Sequence, residues 1–334
     1  MVGVVGSSPI APTKYMTVRL LIWLFVAALS TGALAQQYPS RAIHLISPFP
    51  PGGSVDVVGR LVAARLSESL GQQMIVDNRS GASGVIGTEV VLNSPPDGYT
   101  LLVNTIPFVT NQLLLPRAPY DPLRDFVSIS VVASAPSFVT VHPSVQARSV
   151  QELIALAKAQ PGRLHYSTAG VGTNPHIAGE LFNLLANVDI VAVHFKGGGP
   201  ADTAVIAGEV AATFGNVSQQ IGHVKSGRLR ALAVTSTKRN PAMPELPTVA
   251  ESGLKGYESS QWYGIWAPAG TPADILGLLN SQVAKIMQAT DMKQRLSSEG
   301  LVAVGSSREQ FAAHIRTETA KWANVIKRSG AKVD

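Results

Sequence analysis

Apolar positions recur along most of this chain in two patterns, one typical of buried strands and the other of amphipathic helices. Short apolar runs predict strands at residues 42–47, 74–76, 100–103, 138–141, 164–166, 190–195, 210–214 and 229–235. Apolar residues three and four apart predict helices at about 54–70, 87–93, 150–160, 175–185, 200–207, 272–289 and 307–326, with another ending at 227. Strand and helix alternate, which predicts an α/β fold with parallel sheets covered by helices.

Local signals define the ends of several predicted helices. Ser54 is placed to cap the first helix, and Gly71 is placed to end it. Two more helices begin at capping boxes, in which a Ser is followed three residues later by Glu or Gln. These boxes start at Ser149 and at Ser307.

The first 35 residues have the pattern of a secretory signal peptide. Residues 20–29 form an apolar run that is too short to span a bilayer, Arg19 precedes it, and Ala33-Leu34-Ala35 follows as a cleavage signal. We therefore expect cleavage after Ala35. An uncleaved N-terminal anchor is the alternative, and Met16 would be a more ordinary start. No later segment approaches 18 apolar residues, so the mature protein is expected to be soluble.

Composition narrows the functional classes. Of the 334 residues, 46% are apolar and 14% charged, so the chain is not intrinsically disordered. Cysteine is absent, which excludes disulfides, thiolate metal sites and a cysteine nucleophile. The length exceeds what one hydrophobic core usually supports, so two domains are expected. The net charge of +6 is scattered rather than clustered, so no nucleic-acid groove is indicated.

Glycine-rich turns between predicted strands and helices are the main candidate for chemistry. They lie at residues 51–54, 81–84, 167–173 and 197–199. Glycine lets the backbone approach a ligand, and a helix N-terminus adds unpaired N–H donors with partial positive charge. Several such turns at one cleft would bind an anion. The alternative is that these turns merely connect elements.

Signals for an enzyme are weak. Gly170 and Gly172 are followed by Pro175 where a dinucleotide fingerprint needs glycine, and neither a P-loop nor a GxSxG elbow is present. The His residues lack metal-ligand spacing, so neither a metal nor a cofactor is expected. His176 could face a ligand or serve the helix end, and Asp56 is placed to complement a helix dipole.

Taken in order, a set of longer motifs resembles one family. The chain is similar to the periplasmic substrate-binding proteins of tripartite tricarboxylate transporters, the TctC or Bug family. The resemblance covers residues 38–330 and is carried by residues 48–54, 78–84, 120–126, 152–158, 166–182, 195–198, 229–235, 246–253 and 267–272.

This resemblance implies a two-lobed periplasmic-binding-protein fold of type II, a Venus-flytrap with parallel-rich sheets and helices on both faces. Lobe one would comprise residues 36–137 plus 262–334, and lobe two residues 138–261. The ligand would lie between the lobes, its carboxylate held by backbone amides and waters. From lobe one, the implied ligand-facing residues are Phe49, Pro51, Gly52, Gly53, Ser54, Ser83, Gly84, Asn104 and Thr105. From lobe two, they are Ser167, Thr168, Ala169, Thr173, His176, Lys196 and Gly198.

The resemblance also implies the function. The chain would be a monomeric periplasmic solute-binding protein that delivers a small organic carboxylate, a di- or tricarboxylate or an aromatic acid, to the membrane subunits of a tripartite transporter. Gly215 stands where the family often has an Asp that meets a ligand amino group, which argues against an amino-acid ligand. The alternatives are a ligand-sensing adaptor for a membrane receptor and an extracytoplasmic enzyme, although no acid–base pair supports the enzyme.

Overall fold

Ten strands and ten α-helices alternate in this computed structural model, which describes residues 1–4, 6, 38–115, 118–240 and 243–329. The strands are β1 (Ile43–Ser47), β2 (Met74–Asn78), β3 (Thr100–Asn104), β4 (Phe126–Val141), β5 (His165–Thr168), β6 (Val191–His194), β7 (Ala212–Asn216), β8 (Arg230–Val234), β9 (Ser260–Pro268) and β10 (Val302–Ala303). The helices are α1 (Ser54–Leu70), α2 (Val85–Leu92), α3 (Pro107–Leu114), α4 (Val150–Ala159), α5 (Asn174–Ala186), α6 (Gly198–Ile206), α7 (Val217–Lys225), α8 (Ala273–Gln288), α9 (Thr290–Ser298) and α10 (Arg308–Ser329). All of them belong to one compact unit that begins at Arg41.

The predicted signal peptide, with its cleavage point after Ala35, lies outside the described residues apart from a few at the very start of the chain. Its cleavage therefore stays a prediction. Within the described residues, no helix combines the length and the apolar character needed to cross a membrane.

The strands form one curled sheet in the order β2-β1-β3-β9-β4-β7-β5-β6, with β8 and β10 also paired to β4. The long strand β4 changes partners along its length. From Phe126 to Pro136 it pairs with β9, and from Ser137 to Val141 it pairs with β7 and β8. We call β1, β2, β3, β9, β10 and the start of β4 half-sheet one, and β5 to β8 with the end of β4 half-sheet two. The predicted lobe boundary near residue 137 stays a proposal, which this change of partners supports.

Pairing is parallel at the outer parts of the sheet and antiparallel at its centre. Strand β1 is parallel to β2 and β3, and β5 is parallel to β6 and β7, as the alternation of strand and helix predicts. Strand β4, by contrast, is antiparallel to β7, β8, β9 and β10. The sheet is therefore mixed rather than wholly parallel, because β4, which runs from one half-sheet into the other, is antiparallel to all its neighbours.

Helix ends agree with the sequence in most places. The hydroxyl of Ser149 accepts from the N–H of Glu152 at 3.1 Å, and Ser307 and Gln310 bond each other reciprocally. Gly71 adopts the left-handed conformation that ends α1, with φ of 67°. The prediction that Ser54 caps α1 is wrong. The cap is Gly53, without a side-chain bond, and the Ser54 hydroxyl instead lies 3.3 Å from the amide nitrogen of Gln261.

Helix α10 packs against both halves of the sheet. It contacts α3, which follows strand β3 of half-sheet one, and α5, which follows strand β5 of half-sheet two. Its buried Glu318 accepts hydrogen bonds from the indole N–H groups of Trp262 on β9 and Trp322, at 2.9 and 2.8 Å. Because a buried carboxylate needs such donors, these two bonds hold α10 at the crossing strands.

The packing around β9 yields a matched pair of stability predictions. A methyl group at Gly264 would collide with the ring of Phe311 and lie 2.9 Å from Trp266, so Gly264→Ala should lower the free energy of unfolding by about 1–3 kcal/mol. Gly277 is exposed in α8 with open space around it, so Gly277→Ala should raise that free energy by about 0.5–1 kcal/mol. Urea denaturation of both variants checks this, and equal effects would contradict the packing described here.

Candidate ligand-binding site

The predicted ligand-facing residues lie mainly where strands run into helices. The connections are β1 to α1, β2 to α2, β3 to α3, β5 to α5 and β6 to α6. Helix N-termini therefore follow strands in both half-sheets. Each N-terminus presents unpaired N–H groups and a partial positive charge.

The turn between β1 and α1 is held by Asp56. This buried carboxylate accepts from the Gly52 N–H at 2.9 Å, from Asn78 at 2.9 Å and from Arg60. Burial alone would raise the pKa of Asp56, but the hydrogen bonds from Arg60, Gly52 and Asn78 outweigh it and hold the pKa below its ordinary value. The turn is thus fixed by an ionised side chain, which is a larger role than the predicted complement to the helix dipole.

The turn after β2 has a strained backbone. Ala82 and Ser83 adopt left-handed conformations with φ of 46° and 50°, which residues with a Cβ rarely do. Asn111 on α3 donates to the Ser83 carbonyl at 3.0 Å, and Thr88 donates to the Gly84 carbonyl at 2.8 Å. Gly84 also leaves room for the Phe49 ring, which lies 3.3 Å from the place that a methyl group on residue 84 would occupy. Neighbouring helices thus hold this turn in a shape it would not adopt alone.

The turn between β5 and α5 is organised by its own hydroxyl groups. Thr168 accepts from the Gly170 N–H at 3.2 Å, and Thr173 donates to the Gly170 carbonyl at 2.6 Å. Thr173 is the N-cap residue of α5. We call residues 168–173 the β5–α5 loop.

This loop touches the connections of half-sheet one. The Ser83 hydroxyl donates to the Val171 carbonyl at 3.3 Å, and the Thr110 hydroxyl of α3 donates to the Gly172 carbonyl at 2.8 Å. A methyl group at Gly172 would lie 2.9 Å from the Thr110 oxygen. Glycine at 172 therefore permits the close approach between the two half-sheets.

A cavity of about 150 Å³ lies between the half-sheets. Gly52, Ser54 and Val57 line it from the start of α1, and Ser218 and Gln219 line it from the start of α7, with Glu299 and Leu301 completing the wall. Gly198, at the start of α6, approaches the same Gln219 side chain. The N-terminal ends of α1 and α7 therefore border one cleft.

Three buried polar atoms without partners lie at strand ends. The hydroxyls of Ser47 and Ser167 and the amide oxygen of Asn216 make no hydrogen bond within the part of the chain that the structure describes. An unsatisfied buried polar group costs about 1–3 kcal/mol, so such atoms favour contact with water or a ligand. Ser167 was predicted from the sequence, whereas Ser47, Asn216, Ser218 and Gln219 were missed. The strand-to-helix turn at β7 could have indicated the last three.

Other predicted residues have structural partners. Asn104 bonds Thr88 at 3.2 Å and the N–H of Thr105, and the Thr105 hydroxyl donates to the Trp262 carbonyl at 2.5 Å. Both are buried. Pro51 and Lys196 are exposed, and Ala169 is half-buried. Ligand contact by all the predicted residues stays a prediction.

His176 has a role that the sequence analysis left open. Its Nδ1 accepts from the Gly172 N–H at 3.0 Å, so the side chain reaches back from the first turn of α5 to hold the loop before it. The ring is buried and lines a second cavity rather than the one between the half-sheets. Burial, with the neighbouring His194, lowers the pKa of His176 to about 4.

Glycine at 215 is explained by the packing of α7. A methyl group there would collide with the side-chain amide of Gln220. That amide accepts from the Thr140 hydroxyl at 2.9 Å and donates to the buried Asp202 carboxyl at 2.7 Å. Gln220 thus fills the space that a side chain at residue 215 would occupy, and it is held there by Thr140 and Asp202.

Among the described residues, no group of three or more His, Asp or Glu side chains is arranged to hold a metal ion. Beside the Glu299 carboxylate, the cleft between the half-sheets presents backbone amides, hydroxyls and helix ends. Such groups bind and orient an anion.

Asp202 should make stability depend on pH. Burial raises its pKa to about 6, although the bond from Gln220 opposes this, while the unfolded carboxyl titrates at 3.8. The folded state thus holds the proton more tightly, so stability falls as the pH rises from 3.8 to 6, by up to about 3 kcal/mol. Asp202→Asn should stabilise the protein by about 1–3 kcal/mol at pH 7.5 and have little effect at pH 4.

Urea denaturation at both pH values measures this difference, with the exposed Glu209→Gln as the control. An effect of Asp202→Asn that is the same at the two pH values would contradict the burial of an ionisable carboxyl.

Comparisons with known proteins identify the family of this chain. A family model described as the tripartite tricarboxylate transporter family receptor, TctC, matches residues 58–331. The Bordetella pertussis protein BugT is 37% identical, over 93% of this chain and 96% of BugT. A solved R. palustris protein with adipate has a TM-score of 0.83 and 37% identity, covering 89% of this chain and all of that one. MatC from Rhodopseudomonas palustris, solved with bound malate, has a TM-score of 0.79 and 28% identity, covering 86% of this chain and all of MatC. The chain therefore belongs to the TctC family of tripartite tricarboxylate transporter receptors.

Proposed function

We propose that this protein captures a small organic carboxylate, a di- or tricarboxylate or an aromatic acid, between two lobes and delivers it to a tripartite transporter. The observation that carries the proposal is the cleft between the half-sheets, which the N-termini of α1 and α7 border, in a chain of this receptor family. Although the Glu299 carboxylate also lines this cleft, an anion there meets unpaired N–H donors and the positive ends of helix dipoles without needing an arginine.

The two lobes would close on the ligand. The bonds from Ser83 to Val171 and from Thr110 to Gly172 join connections of the two half-sheets. A ligand that contacts both sides adds to these bonds and favours the closed state. The lobe division at residues 137 and 262 and the ligand-facing residues predicted from the sequence are part of this proposal.

The ligand would be an acid without an amino group. Solved relatives carry adipate and malate, which have only carboxylate and hydroxyl substituents. In this chain the Gln220 amide occupies the space that a side chain at residue 215 would fill, and it donates a hydrogen bond to Asp202. A ligand ammonium group would therefore find no carboxylate at position 215.

The remaining features of the proposal follow from the family. The protein would act in the periplasm after removal of residues 1–35, as a monomer, and would dock on the membrane subunits of a tripartite transporter. It would act as a receptor rather than as an enzyme and would release its acid chemically unchanged. Mass spectrometry of an acid recovered after incubation with the protein tests the last point.

A thermal-shift screen tests the ligand class. Residues 36–334 would be melted with dicarboxylates, tricarboxylates, aromatic acids, amino acids and the uncharged amides of the same acids. A ligand at 100 times its dissociation constant should add about 2.7 kcal/mol of stability, which is a shift of a few degrees. We expect some acids to shift the melt while their amides and the amino acids do not. Equal shifts by acids and amides would overturn the anion cleft.

A charge at the start of α1 tests the site itself. Gly53 has φ of −70°, which any residue adopts, and Asp or Asn there can cap the helix. Gly53→Asp should weaken acid binding at least tenfold, because two carboxylates about 5 Å apart repel by about 3 kcal/mol. Gly53→Asn has the same shape without the charge and should bind within a few-fold of the native chain. Calorimetry that finds the two variants alike would rule out this site.

A further inference from the structure

A second cavity, of about 460 Å³, shares no lining residue with the cleft between the half-sheets. It is lined by α5, the edge strand β6 and the end of α10. His176 and His194 both line it, and their rings meet edge to face with centroids 4.8 Å apart. Two imidazoles therefore stand between this cavity and the loop.

Each imidazole holds one part of the loop. The Nδ1 atom of His176 accepts from the Gly172 N–H at 3.0 Å, and Nδ1 of His194 lies 2.7 Å from the Thr168 hydroxyl. Thr168 in turn accepts from the Gly170 N–H. Because His176 Nδ1 is an acceptor, the neutral ring must carry its proton on Nε2. The loop conformation thus requires a neutral His176.

The carbonyls of the same loop bind half-sheet one. Val171 accepts from Ser83, and Gly172 accepts from Thr110. The Gly172 peptide is therefore anchored on both sides, to His176 through its N–H and to Thr110 through its carbonyl. A change at His176 acts directly on a residue that joins the half-sheets.

Several charged groups lie near His176, but they do not prevent protonation of Nδ1, the atom that accepts the hydrogen bond from Gly172. Glu180 on α5 lies 4.0 Å from Nε2 and is itself bonded by the Tyr166 hydroxyl at 2.9 Å. Asp189, before β6, and Arg328 on α10 line the same cavity. Glu180 would attract a protonated ring on its Nε2 side. A proton on Nδ1 would nevertheless remove the acceptor that Gly172 uses and place two N–H groups face to face.

We propose that His176 is a positioning residue for the ligand cleft and that its protonation releases the β5–α5 loop, which lowers affinity for the acid ligand as the pH falls. The inference rests on the proposed function for its effect on affinity, while the effect on the loop is independent of it. Electrostatic repulsion from the neighbouring His194, which contributes to the lowered pKa of His176, would add to the lost hydrogen bond.

The direction of the effect follows from burial. The pKa of His176 is lowered to about 4 in the folded state, against 6.5 for a free imidazole. When the loop is released, His176 binds a proton at pH values between 4 and 6.5, at which the bound loop keeps the ring neutral. Loop release therefore becomes easier as the pH falls below 6.5, and this effect reaches nearly its full size near pH 4. Between pH 7.5 and pH 5 the ratio of released to bound loop rises by up to about 30-fold, and affinity falls, beyond the ligand's own titration, in proportion to the fraction of loop that is released.

Calorimetry with adipate and malate at pH 7.5 and 5 tests this in the native chain and in His176→Asn. The Asn amide oxygen can take the place of Nδ1 as acceptor, but it does not titrate. The ligand's titration is the same for both proteins and cancels in the ratio of their affinities. We expect this ratio to shift in favour of His176→Asn at pH 5, by up to the limit of about 30-fold that the two pKa values set. His165→Asn, at the exposed opposite end of β5, should behave as the native chain.

Hydrogen exchange of the Gly172 amide provides a readout without ligand. At pH 5 the amide should exchange at least tenfold faster in the native chain than in His176→Asn, and at pH 7.5 the two should agree. His176→Leu, which has no acceptor, should exchange fast at both pH values.

The outcomes separate the two proposals. Failure of adipate and malate to bind the native chain at pH 7.5 would count against the proposed ligand class, and hydrogen exchange would still decide the role of His176. Identical pH dependence of the native chain and His176→Asn, in affinity and in exchange, would overturn the inference.

Discussion

The backbone hydrogen bonds between β4 and β9 connect the strands of half-sheet one to the strand that continues into half-sheet two. Half-sheet one is built on these bonds, and half-sheet two continues from the far end of β4. Register shifts between Ser128 and Ser130 and between Val131 and Ala133 mark bulges in this pairing, and bulges bend and twist a strand. The two strands thus act as one curved ribbon, and α10 is fastened to it through Glu318. The relative placement of the two sets of strand ends follows from the shape of this ribbon.

Backbone groups and side chains make different contributions to the site at those strand ends. Backbone groups provide the donors, because helix N-termini leave amides unpaired whatever the side chains are. Side chains provide the shape: Asp56 fixes one turn by accepting from Gly52, and His176 fixes another by accepting from Gly172. In both cases a titratable group outside the cleft lining holds the loop that a ligand would touch. Under the proposed function, substitutions at these two residues outside the cleft would therefore change ligand binding.

Periodicity and glycine placement were sufficient to predict the outer strands, most helices and the strand-to-helix turns. They did not predict β9 or the first part of β4, because residues 126–137 and 260–268 mix apolar residues with Ser, Gly, Gln and Pro and show neither strict alternation nor a continuous apolar run. At the site, Gly52 and Ser54 were predictable from their turn, whereas Gln219 was not, because its place at the cleft depends on how α7 packs in three dimensions.

The position of β9 has a consequence for how the chain reaches its fold. This strand lies between β3 and β4, although it is made more than 100 residues after either of them. During synthesis, β3 and β4 therefore lack the strand that lies between them until all the strands of half-sheet two have been made. Pairings of such large sequence separation form slowly, because long loops must close first. An emerging chain of this design stays incompletely folded until its last third is available, which is the condition that a translocation channel for unfolded polypeptides requires.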